Sequence, residues 1–483
     1  MDGFEKPVSD RFTIAPFEFF VMAARTRFPF RYGIASMTDV PHLFLRTRVA
    51  SGAESATGLA AEGLPPKWFT KDPATTFDQD LPEMLRVIRR ATAVAEEVAR
   101  VPVSYFDFWR EVYRQQAEWA NAAGVAPLLA NFGVSLVERA VIDGLCRLFH
   151  EPFHSVVETN RLGLDLRTVH PELGAARPSD LLPRSPLEHC WVRHTVGLGD
   201  ALDPSDIAAG EEVNDGLPQD LASSIREYGL RYFKVKLNGV PEADFDRLDR
   251  VAEILLRETG GEYFVTLDGN ENFADFGSFR TFWETARSRS SLRGLWSRIL
   301  VVEQPVHRDR ALGDAAGDVL RAWPGRPALI IDESDGNIGD LSRALDLGYA
   351  GTSHKNCKGI VKGIANACLL EKRRREGRIS VLTGEDLCNL GPIALQQDLA
   401  MMAILGIPHV ERNGHHYYRG LSMLPAGWQE ASVAAHEDLY SRGDGFVRLR
   451  IDRGRLRLSS VNRATFGVGF LPDVERFETL DMT

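Results

Sequence analysis

Between residues 188 and 410 eight short apolar runs alternate with helix-patterned segments, and that alternation restricts the chain to parallel βαβ units. The runs are CWVRHTVGL, YFKVKLN, YFVTLDGN, ILVVEQP, ALIIDES, YAGTSHKN, ISVLTGED and PHVERNG. Segments such as DFDRLDRVAEILLRETG and KGIANACLLEKRRREG, with apolar positions every three or four residues, lie between most of them. Eight such units predict a closed (β/α) barrel, a modified TIM barrel, in preference to an open sheet. The least clear helix falls between ILVVEQP and ALIIDES, where RALGDAAGDVLRAWPG is rich in glycine.

The chain is longer than that barrel needs, since one core stops growing near about 250 to 300 residues and there are 483 here. Residues 1–157 read as an α+β block: HLFLRTRVA is a strand, SGAESATG a turn into another, and helical spacing runs from about residue 78 to 150. Residues 158–187 carry several prolines and read as an irregular connecting segment. Residues 411–483 hold the eighth strand's loop and a tail in which FVRLRIDRGRLRLSS alternates about Asp452-Arg453-Gly454 like a β-hairpin. A hairpin is not stable alone, so the tail is expected to return to the N-terminal sheet and complete an α+β capping domain.

A net charge of -10 provides no broad basic field, so neither nucleic acid nor a membrane surface is an expected partner. A small anion would need locally placed cations. Five cysteines, with no CxxC pair, predict reduced thiols in a cytoplasmic protein. The first residues put acidic side chains where a signal peptide needs positive charge, and no run of about 18 apolar residues occurs. A homo-oligomer is compatible with all of these features.

In a (β/α) barrel the chemistry lies at the C-terminal ends of the strands. There the second run carries Lys234 and Lys236, the third Asp268 and Asn270, the fourth Glu303, the fifth Asp332 and Glu333, and the sixth Lys355, each about one βα unit apart. Alternation points Lys234 and Lys236 the same way, and likewise Asp268 and Asn270. Three carboxylates on adjacent strands make a hard oxygen site suited to Mg²⁺. Two lysines would flank whatever that ion binds, and a dication together with each other's charge would lower their pKa from about 10.4.

The residues KVKLNG, LDGNENF, VEQPV, IDES and HKNCKG together resemble the enolase superfamily, in the branch containing mandelate racemase and muconate lactonizing enzyme. The resemblance covers most of the chain. It implies Mg²⁺ held by Asp268, Glu303 and Asp332, with Lys236 and Lys355 as the acid/base pair. It further implies removal of the α-proton of a small carboxylate through an enediolate. A racemase or epimerase is the first expectation, an acid-sugar or hydroxy-acid dehydratase or a cycloisomerase the second, and a non-catalytic barrel the third. The sixth strand reads HKNCKG where Lys-x-x-Lys-Gly-Gly is the family form, which leaves Lys358 as a rival to Lys355. Alternation places Ser353, Lys355 and Cys357 on one face and favours Lys355.

Lys234, Asn270, Glu333, Glu385 of LTGED and His415 of ERNGHHYYRG are expected to contact substrate, with Asp386 and His416 beside them as weaker candidates. HEPFH, residues 150 to 154, matches the zinc-protease pattern HExxH, but Pro152 would interrupt the helix that must carry both histidines. No Walker loop, dinucleotide GxGxxG or GxSxG elbow is present.

Overall fold

The computed structural model describes residues 10–443 and 445–481. The outermost residues of the expected cap, 1–9 at one end and 482–483 at the other, lie outside that range, as does residue 444.

Eight parallel strands close into a barrel: β6 (His189–Val196), β7 (Tyr232–Lys236), β8 (Phe264–Asp268), β9 (Ile299–Glu303), β10 (Leu329–Ile331), β11 (Gly351–His354), β12 (Val381–Gly384) and β13 (His409–Glu411). Each pairs with the next, and β13 pairs with β6 through Val410↔Val192 and its neighbours. All eight apolar runs of the sequence are barrel strands. They read as near-continuous apolar runs because helices cover the outside of a parallel sheet. The glycine-rich stretch after β9 forms two short helices, Arg308–Ala311 and Asp314–Arg321, in place of one long one.

The cap is built on a six-stranded sheet. Its strands are β1 (Arg11–Ile14), β2 (Glu18–Tyr32), β3 (Ala35–Ser51), β4 (Glu54–Gly63), β5 (Val103–Ser104) and β17 (Glu478–Thr479). Helices α1 (Phe77–Val98), α2 (Tyr105–Ala123) and α3 (Pro127–Phe149) pack on it. Ser104 caps α2, its hydroxyl accepting from Asp107 N, and Gly124 ends the helix in the left-handed conformation. Helix α3 is buried on nearly every side, as its apolar sequence requires, because it lies between the cap sheet and the barrel. It stops at His150 (φ 55°), and Pro152 opens a separate helix, Phe153–Glu158, so HEPFH spans a break and not one helical face.

The C-terminal tail corrects one expectation. β15 (Phe446–Leu449) pairs with β14 (Tyr440–Gly443), whereas β16 (Arg455–Arg457) pairs antiparallel with β6 of the barrel. Across Asp452-Arg453-Gly454 the hairpin is reduced to a single antiparallel bridge between Asp452 and Arg455, closed by Asp452 N to Arg455 O (2.9 Å) and Arg455 N to Asp452 O (3.0 Å), and the two strands do not pair further. β6 pairs with β7 only from Arg193 onward, so residues 189–191 are free on that edge, and β16 uses that length. The tail still reaches the cap, through β17 on β2. The irregular connection packs on the outer barrel helix Ile360–Arg375, where His170 Nε2 meets Asn366 Oδ1 at 2.7 Å and its Nδ1 meets Ser342 Oγ at 3.2 Å.

Candidate active site

Strand register sets the site. Lys236 lies opposite Asp268, and Asp268 opposite Glu303, so three adjacent strands present their last residues side by side. Asp332 and Glu333 follow β10, Lys355 follows β11, Glu385 follows β12, and Glu411 ends β13. Beyond the strand ends the backbone turns sharply: Asn270, Glu271 and Gln304 have φ of 41°, 64° and 35°. Ladder-like bonds from Gly269 N to Glu303 O (2.9 Å) and Glu271 N to Gln304 O (2.8 Å) hold this strained segment beside the carboxylates.

Lys234 stands at the centre. Its Nζ lies within 3.0 Å of Asp268, Glu303 and Glu411 and 2.7 Å from Glu385. Lys236 donates to Asp268 Oδ2 at 2.6 Å. Lys355 donates to both Asp332 oxygens and to Glu385 Oε2, each at 2.7 Å, and lies 5.1 Å above the Trp68 ring. Arg193 holds the other Glu385 oxygen at 2.7 Å. Lys358 reaches Asp332 Oδ1 at 2.7 Å and donates to Ser353 O and Oγ.

One cavity draws in Lys234, Lys236, Asn270, Asp332 and Lys355, together with Asp386, Glu411 and Asn413. Its opposite wall comes from the cap and the loop after β12: Phe30, Tyr32, Met37, Pro65, Trp68, Leu387 and Cys388. Lys358 does not line it. Asn270 Nδ2 donates to Glu333 Oε1 at 3.3 Å, while Asn270 Oδ1 and Glu333 Oε2 have no hydrogen-bond partner. His415 is placed apart, with Nε2 at 3.1 Å from His194 Nδ1 and its ring beside a separate cavity with Tyr228 and Tyr440. His416 packs edge-on to Phe28. Sequence reasoning did not single out Glu411, although it ends the eighth run just as Glu303 ends the fourth. The cap wall carried no sequence signal, because Phe30 and Trp68 belong to segments remote from every barrel strand.

The carboxylates crowd one another. Oxygens of Glu303, Asp332 and Glu385 come within 4.8 Å of one another, a trio that shares two members with the set expected from sequence. Asp268 is turned to Lys234 and Lys236. Burial, followed by the charge of Glu385, pushes the Glu303 carboxyl well above its usual range. Burial opposes ionisation of Glu385 and Asp332 too, but the lysines around them outweigh it and hold both below the usual range. A divalent cation among these oxygens would relieve the repulsion at Glu303, and an all-oxygen, carboxylate-rich donor set suits Mg²⁺. The residues therefore fit the ion. Lysine behaves differently from expectation: burial and Lys234 pull Lys355 down, yet Asp332, Glu385 and Glu303 hold it well above its ordinary value.

No protein-family model and no curated protein matches the sequence. Solved structures do. Muconate lactonizing enzyme from Pseudomonas fluorescens, complexed with muconolactone, is 16% identical over 96% of this chain and 98% of its own, with a TM-score of 0.59. N-succinyl Arg/Lys racemase from Bacillus cereus is 15% identical over 83% of this chain and 87% of its own, at 0.55. An enolase from Bradyrhizobium complexed with magnesium and mandelic acid is 13% identical over 92% and 93%, at 0.52. At such identities the fold is what is shared: this chain has the capped (β/α) barrel that these solved structures have.

Proposed function

We propose that the chain is an enolase superfamily enzyme that uses Mg²⁺ to remove the α-proton of a small carboxylate through an enediolate, and that it works as a racemase or epimerase. The observation that carries this reading is that Lys236 and Lys355 enter one cavity from β7 and from the end of β11, strands four apart in a barrel of eight and so on opposite sides. Asp268, Glu303 and Asp332, with Glu385 adjoining, are the residues to hold the ion, which would supply positive charge facing the substrate carboxylate.

Neutral Lys236 takes the α-proton as the C–H electron pair moves into the carboxylate group. The Lys355 ammonium then delivers a proton to the opposite face of the planar intermediate, so configuration inverts and the two lysines exchange protonation states. The contacts of Lys236 to Asp268 and of Lys355 to Asp332 hold both amines at the cavity, which supports the two-lysine reading. The cap wall has no charged side chain, which suits an uncharged apolar body on a monocarboxylate. Five free, buried cysteines accord with a cytoplasmic setting.

The test is a panel of chiral monocarboxylic acids incubated with enzyme and Mg²⁺ in D₂O. Deuterium at the α-carbon with inversion of configuration is expected. Loss of water would turn the assignment to a dehydratase, and ring closure without inversion to a cycloisomerase. If no acid gained α-deuterium while Mg²⁺ left the melting temperature unchanged, the barrel would be non-catalytic.

A further inference from the structure

We infer that Glu138 of cap helix α3 is a positioning residue for Lys355: it clasps the first turn of the helix that follows β11 and so fixes the turn that aims the lysine into the cavity. The inference rests on the function proposed above.

Only four residues separate Lys355 from Ile360, where the helix Ile360–Arg375 begins. Between them the chain makes a single 3₁₀ turn, Asn356–Lys358, closed by Lys358 N to Lys355 O (2.9 Å) and Gly359 N to Asn356 O (3.0 Å). The first amides of the next helix have no partner within it. Glu138 provides one from the other domain: Oε2 accepts from Ile360 N at 2.8 Å and Oε1 from Val361 N at 3.3 Å. The carboxylate is 1% exposed and is also hydrogen-bonded by Trp109 of α2. Its negative charge at a helix N-terminus is favourable.

Two further features make this a fitted joint. Gly359 has φ 107°, and a Cβ there would stand 3.1 Å from Glu138 Oε2, so the glycine both permits the turn and lets the carboxylate approach. One end of α3 also grips the neighbouring loop, where Asn131 Nδ2 donates to Gly336 O just beyond Asp332 and Glu333. One cap helix thus touches the loops that follow both β10 and β11, which carry Asp332 and Lys355. Burial pushes the Glu138 carboxyl up to about 7 while the two backbone amides pull it back, so the amides are its principal stabilising partners.

Two measurements on the full chain test this, using Glu138→Ala and the near-isosteric Glu138→Gln, which keeps one acceptor oxygen. The first is backbone amide exchange over residues 355–361. The second is α-deuterium uptake from each enantiomer of an acid that the wild type exchanges. Glu138→Ala should speed amide exchange in that segment by about tenfold while α1 and the cap sheet stay protected. It should slow uptake at the face served by Lys355 by at least about tenfold and leave the Lys236 face within about twofold. Glu138→Gln should fall between Ala and wild type, and it carries the test if the alanine variant does not fold. Equal slowing at both faces, loosening throughout the cap, or no change in the segment would overturn the inference. If the wild type exchanges no acid, the proposed function has failed, and amide exchange alone still decides whether Glu138 holds the turn.

Discussion

Lys234 shows how charge is balanced at single residues. Burial alone would lower its pKa, but Asp268, Glu303, Glu385 and Glu411 together hold it well above the ordinary lysine value, so it is an ammonium shared among four carboxylates. Replacing it by Met leaves those carboxylates buried without their common partner, and a loss of about 3–5 kcal/mol is expected in urea unfolding. Added Mg²⁺ should restore part of that loss, because a cation among the same oxygens does the same neutralising work. The ion itself is tested at Glu303 and Asp332, common to the set read from sequence and the set closest in space. Mg²⁺ should raise the melting temperature of the wild type but not of Glu303→Gln or Asp332→Asn. A shift that survived in both variants would place the ion elsewhere.

Among the elements, α3 crosses β4 in direct contact. A Cβ on Gly58 would lie 2.0 Å from Ala140 O, and one on Gly144 would lie 2.5 Å from Val49 Cγ2, so strand and helix backbones touch with no side chain between them. Gly58→Ala must push α3 off the sheet, and a loss of at least about 1–3 kcal/mol is expected. Since α3 also carries Glu138 and Asn131, the same substitution should weaken catalysis at a distance from the site. Gly427 is the contrasting case: it lies in the helix Ala426–Ala435, and a Cβ added there would meet no atom within 4 Å. Gly427→Ala should stabilise by about 0.4–1 kcal/mol through the unfolded chain. Chemical unfolding of the two variants side by side should give opposite signs, and a destabilised Gly427→Ala would contradict the open space seen there.

For the whole molecule, the C-terminal tail ties barrel to cap, and His436 is one of its fastenings. Its Nε2 accepts from Gly469 N at 2.9 Å and its Nδ1 faces Ser460 Oγ at 2.9 Å, a pattern only the neutral ring satisfies. Burial lowers its pKa from 6.5 to about 4. The unfolded chain therefore binds a proton that the folded chain refuses between these values. The stabilisation is complete above about pH 6.5 and is lost as pH falls toward about 4. The difference in melting temperature between wild type and His436→Asn should accordingly shrink over that interval, and a difference that grew on acidification would reverse the sign argued here.

The sequence by itself determined the eight strands and the order of the groups at their ends. Both signals are local: the apolar period marks each strand, alternation fixes which side chains share a face, and the length of a βα unit brings Lys236, Asp268, Glu303 and Asp332 to one rim. Everything that depended on a distant partner was decided by the tertiary structure. Arg455–Arg457 alternates well enough for a hairpin but pairs with β6, because a strand's hydrogen bonds go to whichever edge is left free. Glu385, expected to contact substrate, lies between Lys234 and Lys355 because barrel closure brings the end of β12 toward β7. His415 follows the eighth strand as expected, yet turns to His194 and a second cavity. Lys355 lines the cavity, whereas Lys358 bonds Ser353 and Asp332, and Glu138 holds the start of the helix that follows both. Phe30, Tyr32 and Trp68 close the site from the cap, since the sheet and α3 dock where no periodic pattern reports the contact.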